Sequence, residues 1–129
     1  MLIRIVRMHF TEAGVDEFLQ IFNKHKEAIR NFPGCSHLQL LKDAEDETIY
    51  TTLSHWDKEE SLENYRKSEL FGQVWGRVKT LFAERTQAFS LKKFDKLAGA
   101  YGLTEEERET GRNLLADEKG LKEINLIAI

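Results

Sequence analysis

The sequence is short of the residues that cross-link or punctuate a chain. It has one cysteine, Cys35, so no disulfide can form within it. It has one proline, Pro33. No apolar run is long enough to span a bilayer and no signal-peptide pattern opens the chain, so a cytoplasmic location without a membrane partner is expected. A strong charge of one sign is also missing: the net charge is −3. Lys and Arg alternate with Glu and Asp, which reads as solvated helix faces, and no nucleic-acid partner is expected. There is no glycine-rich phosphate loop, hence no motif for a nucleotide or flavin mononucleotide. The four histidines, His9, His25, His37 and His55, lack metal-ligand spacing, so no metal is expected. No Ser-His-Asp arrangement can be read from residue order, and there is neither an internal repeat nor a low-complexity segment.

What is present suits a soluble globular domain. The chain has 129 residues, of which 41% are hydrophobic and 32% charged. Residues 2–10, LIRIVRMHF, read as a first strand. Alternation puts Leu2, Arg4, Val6, Met8 and Phe10 on one face, and Ile3, Ile5, Arg7 and His9 on the other. Apolar groups on both faces imply that both are at least partly covered. Thr11 caps a helix that extends to about residue 31, with Val15, Phe18, Leu19, Phe22, Lys26 and Ile29 along one stripe. His25 sits at the rim of that stripe. Phe32-Pro33-Gly34 ends the helix, because proline biases its predecessor away from helical angles and glycine supplies a turn. Cys35 follows and reads as a small buried apolar residue rather than a nucleophile.

Residues 35–42 read as a second strand, 43–47 as an acidic turn and 48–56 as a third strand rich in β-branched and aromatic residues. The chain is organised around residues 55–82. There Leu62, Tyr65, Phe71, Val74, Trp75, Val78, Leu81 and Phe82 recur at helical spacing over two short helices. Asp57 and Ser61 are the capping candidates for the first of these helices, and Ser68 for the second. Trp56, Tyr65 and Trp75 fall near one apolar face. That stripe reads either as core packing or as the wall of a flat pocket for a planar ligand. Residues 84–94 read as a fourth strand, with Ala88, Ser90 and Lys92 opposite in face to Phe89, Leu91 and Lys93.

The order strand, helix, strand, strand, helices, strand is that of the split βαβ, ferredoxin-like α+β fold: a four-stranded antiparallel sheet with helices on one face. The second face needs cover, and pairing of sheets in a homodimer would supply it. Residues 1–94 form the expected domain and 95–129 an extension. In the extension, Thr104 and Glu107 make a capping-box helix start, and EINLIAI ends the chain with strand character.

Element order, together with Trp56 at the end of the third strand, the helix through Leu62 and Tyr65, then Ser68 and Phe71, resembles the antibiotic biosynthesis monooxygenase-like domains of the dimeric α+β barrel superfamily. Phe32-Pro33-Gly34-Cys35 is similar to that family's first turn. The resemblance covers about residues 1–94. It implies a homodimer whose sheets close a shared barrel, and a pocket in each subunit between sheet and helices. Some members oxidise polycyclic phenols or quinols with molecular oxygen and without a bound cofactor; others degrade haem. For haem degradation the asparagine, tryptophan and histidine positions hold Val6, Tyr65 and Trp75, and tryptophan cannot ligate iron. For quinone formation Trp56 matches, Thr52 stands where asparagine is used, and Arg77 is the candidate arginine.

The function expected is therefore oxidation of a small phenol or quinol by oxygen, without a cofactor. The alternative is a non-catalytic dimeric module that binds a small apolar or aromatic molecule. Val6, Met8, Thr52, Trp56, Tyr65, Phe71 and Trp75 are the substrate-binding candidates. His9 and His55, which end strands where a pocket mouth can lie, and Arg77 are the candidates for proton transfer or anion stabilisation.

Overall fold

β1 (Leu2–His9) runs through the middle of a four-stranded antiparallel sheet of order β2-β3-β1-β4. A computed structural model describes residues 1–94; the helix and the apolar end expected in the extension lie outside the described residues. Two neighbours flank β1. β3 (Ile49–Trp56) pairs Val6 with Thr52 and Leu2 with Trp56, and β4 (Gln87–Lys92) pairs Val6 with Ala88 and Arg4 with Ser90. β2 (Cys35–Lys42) lies outside β3, with a register shift between Cys35 and His37. The helices α1 (Val15–Arg30), α2 (Glu59–Arg66) and α3 (Glu69–Val78) complete the ferredoxin-like α+β architecture.

Local chemistry fixes the joints. Thr11 accepts the Gly14 N–H on its side chain at 3.0 Å, but it caps a 3₁₀ turn, Glu12–Gly14, and the α-helix itself starts only at Val15. The single helix expected from Thr11 onward is thus divided. The Thr11 N–H is engaged by the Leu81 carbonyl at 2.9 Å, which ties the helix entry to the end of the helical segment before β4. In the acidic turn, Asp43 accepts the N–H groups of Glu45 and Asp46 at 3.1 and 2.9 Å, and Asp46 accepts both the N–H and the hydroxyl of Thr48. Those hydrogen bonds hold both carboxyls below the usual range.

Ser68 caps α3, accepting the Phe71 N–H at 3.1 Å. The expected cap of α2 differs. Lys58 occupies the N-cap position without a side-chain bond, and Asp57, one residue earlier, instead takes the Ser61 hydroxyl, which lowers its pKa. β4 is shorter than residues 84–94, and β3 begins one residue later than expected.

The core has two parts. Met8, Phe10, Phe18, Ile21, Tyr50 and Val78 form the larger, with Phe10 stacked on Phe18 at 4.2 Å. Leu2, Cys35, Trp56 and Leu62 form the smaller, with Phe32 and Tyr65 against them. The opposite sheet face carries Ile3, Ile5, Leu41, Leu53, Phe89 and Leu91, of which Leu41, Phe89 and Leu91 are exposed by 40%, 51% and 48%. No helix among the described residues is long and apolar enough to cross a membrane.

Candidate functional site

Alternation along β1 and β3 aims every second side chain at the helices. Between them lies a cavity of about 330 Å³, at the small end of the ~300–1,000 Å³ range of ligand pockets. Val6 and Met8 of β1 and Thr52 of β3 line its floor. Trp56, at the end of β3, and Tyr65, Phe71 and Trp75, from α2 and α3, line its walls. All seven substrate-binding candidates are therefore brought together.

The aromatic rings form a continuous wall. Trp56 stacks on Tyr65 at 5.2 Å, Tyr65 meets Phe71 edge-on at 5.2 Å, Phe71 stacks on Trp75 at 5.8 Å and Trp75 meets Phe82 at 5.5 Å. Trp56 is 1% exposed, and its ring is held by an Nε1–H bond to Ser54 Oγ at 2.9 Å. Burial pushes the Tyr65 phenol up to about 12, so it is an uncharged wall group at neutral pH.

His9, His55 and Arg77 do not reach this cavity. His9 follows Met8, and His55 precedes Trp56, so each points to the opposite sheet face. His9 lies 3.3 Å from Glu84 and 3.9 Å from Asp46. His55 lies against His37, with ring centres 4.8 Å apart, and lost solvation, then the charges of His37 and Lys93, lower its pKa. Arg77 is turned to solvent, 3.8 Å from Glu17. Cys35 is buried, bonds weakly to the His37 carbonyl at 3.5 Å, and has its thiol pKa raised chiefly by burial. Among the described residues no group of three or more His, Cys, Asp or Glu is placed to hold a metal ion.

The polar groups of the wall are others: Arg4, Ser54, Arg66 and Thr86, beside Thr52. Arg4 donates to Ser90 Oγ at 2.9 Å, and Arg66 donates to Glu63 Oε1 at 2.9 Å. Thr86 Oγ1 is buried without a hydrogen-bond partner among the described residues. Among the described residues no histidine or carboxylate lines the cavity. The arrangement is a mostly apolar, aromatic slot with a cationic end at Arg4 and Arg66. Chemically it can hold a planar ring and stabilise an anionic oxygen.

Comparison with known proteins agrees with the fold. No curated protein matches the chain. Among solved structures, a conserved protein from Methanosarcina mazei Go1 is 22% identical at a TM-score of 0.68, with 72% of this chain and 93% of that one covered. A crystal structure titled antibiotic biosynthesis monooxygenase is 17% identical at 0.70, covering 74% and 100%. A Mycobacterium tuberculosis protein is 15% identical at 0.69, covering 75% and 98%. At these identities the likeness is one of fold. The family model described as antibiotic biosynthesis monooxygenase matches residues 1–75, from β1 through Trp75. With more than half of its length matched, the chain belongs to the antibiotic biosynthesis monooxygenase family.

Proposed function

We propose that the protein is a cofactor-independent monooxygenase acting on a small phenol or quinol, and that it works as a homodimer. The observation that carries this reading is the aromatic wall from Trp56 to Trp75 around a cavity of about 330 Å³. A planar ring stacks in such a slot, and the apolar lining excludes water from an electron-rich anion. A phenolate passes an electron to oxygen directly, so the protein has to bind, orient and stabilise. For a phenol with a free para carbon the balance is simple. The ring and one O₂ give a para-quinone and one water; one oxygen atom joins the ring, and the other leaves with the ring hydrogen and the phenolic hydrogen.

The homodimer is supported by the uncovered apolar side chains of the opposite face, Phe89 and Leu91 above all. A non-catalytic binding module would use the same slot, but the family match favours turnover.

Oxygen uptake with a panel of phenols and quinols tests the reading. Protein-dependent uptake is expected, and Trp75→Ala is expected to lower it and to weaken binding of the ring without dissociating the dimer. Binding without uptake across the panel would leave only the binding module. Equal affinity of wild type and Trp75→Ala would place the ligand elsewhere.

A further inference from the structure

We infer that Arg4, with Arg66 beside it, is an oxyanion seat that holds the substrate as its phenolate; this rests on the reading above that a phenol occupies the cavity. Arg4 stands on the central strand, on the helix-facing side, between Ser54 of β3 and Ser90 of β4. It is half-buried and makes no ion pair among the described residues. Its one side-chain hydrogen bond among the described residues, to the neutral Ser90 hydroxyl, uses one of the five N–H donors of a guanidinium. Arg66, on the last turn of α2, lines the same cavity and is paired with Glu63.

Among the described residues two cations therefore line this end of the cavity, while the one carboxylate nearby, Glu63, pairs with Arg66 without lining it. Burial and the charge of Arg66 lower the Arg4 pKa, and Glu63 opposes them, so an anion placed there relieves a crowded cation. The other described groups around Arg4 do not supply one. Tyr65 is neutral, and Lys92, two residues beyond Ser90 on the same face of β4, is an exposed cation that does not line the cavity.

Among the described residues neither a histidine nor a carboxylate lines the wall, and this gives the seat its role. With no general base among the described residues facing the ring, the phenol is ionised by lowering its pKa beside Arg4, and its proton passes to solvent water. Among the described residues the rest of the cavity wall is uncharged, with the hydroxyls of Thr52, Ser54, Tyr65 and Thr86 among its polar groups, so the anionic oxygen of the ring turns to the Arg4 end and the carbon to be oxidised turns away from it. Arginine suits this task because its charge persists when partly desolvated and its planar fork binds oxygen anions directionally.

The test uses 4-nitrophenol, whose ionisation is read by its absorbance, and 4-nitroanisole as its neutral methyl ether. In wild type the pKa of bound 4-nitrophenol is expected to fall by about one unit or more, a tenfold or greater preference for the anion. Arg4→Met should abolish that shift while 4-nitroanisole binds as before, and Arg4→Lys should restore part of it. Should Arg4→Met fail to fold, the more exposed Arg66→Gln decides, with a several-fold smaller preference expected. Binding of both probes with no shift, or a shift untouched in the variants, overturns the seat and leaves the aromatic slot standing. No binding of either probe to folded wild type overturns the slot and the seat together.

Discussion

Gly34 is the position where one methyl group is expected to do most harm outside the core. It has φ +91°, in the left-handed region, and its carbonyl accepts the Asp57 N–H at 2.9 Å. A Cβ there would lie 2.7 Å from Asp57 Oδ1 and 2.5 Å from Ser61 Oγ, and closer still to Ser61 Cβ. Ser61 is buried and its Cβ is fixed to the backbone of α2, so rotation of a side chain cannot relieve the contact. The left-handed conformation costs an alanine about 1–2 kcal/mol. Forcing a methyl into a filled space adds about 1–3 kcal/mol. Gly34→Ala is therefore expected to destabilise by roughly 2–5 kcal/mol. For a chain of this size that is a fall in Tm of about 6–20 °C. The assay is thermal and urea unfolding followed by circular dichroism at one protein concentration. Ser61→Gly in the alanine background should recover part of the loss, because it removes the colliding Cβ, and the double-mutant cycle isolates that part. A loss under about 0.5 kcal/mol, or simple additivity in the cycle, would refute the idea that these two turns are locked through Gly34.

Tyr65→Phe tests the buried phenol by its pH dependence. The Tyr65 pKa rises from 10.0 unfolded to about 12 folded, so the unfolded chain loses the proton first and stability should fall as pH climbs through that window. The phenylalanine variant should lose up to about 2–3 kcal/mol less than wild type across it, and parallel profiles would contradict the assignment. Phe89→Asp combined with Leu91→Asp should halve the mass measured by light scattering at micromolar concentration, while a monomeric wild type would remove the premise. Thr86→Val should hold or raise the Tm of the ligand-free protein, since no hydrogen bond is lost and a buried hydroxyl without a partner costs about 1–3 kcal/mol. A clear drop in Tm would mean that Thr86 has a partner beyond the described residues.

Much of the fold was legible because its signals are local. β2 begins at Cys35 and ends at Lys42 as expected, since Pro33 and Gly34 stop the helix before it and the Asp43–Asp46 turn stops the strand. Capping by Ser68 was also legible. The cap of α2 was not: Asp57 and Ser61 fit the capping pattern and lysine does not, yet Lys58 takes the position while Asp57 is engaged by the Ser61 hydroxyl. Ile21 is buried although it falls beside the stripe traced along α1, because the helix meets the sheet over a wider arc than a narrow stripe implies. The aromatic wall could be read from spacing, since helical periodicity gathers Tyr65, Phe71 and Trp75 by itself. The polar end was half-visible. Arg4 shares its face with Leu2, Val6 and Met8, and a lone cation on an apolar, helix-facing row is a signal in its own right. Arg66 carried no such signal, since its place at the cavity depends on how α2 lies across the sheet. The same alternation separates His9 from Met8 and His55 from Trp56. Their position at strand ends suggested a pocket mouth, but side-chain direction overrides it.

The bond from Arg4 to Ser90 joins residues 86 apart in sequence. The strand made first is thus completed by the last strand of the domain, and a contact that distant forms late and slowly in folding. A growing chain that has reached Trp75 already holds Trp56, Tyr65, Phe71 and Trp75 of the wall, yet one side of β1 still lacks its partner and the cavity lacks Ala88 and Thr86. At that stage the unpaired edge of β1 is an adhesive strand, open to neighbouring chains. The six residues of β4 therefore act as a closing seam for β1, and the edge left open passes from β1 to β4 itself when they arrive.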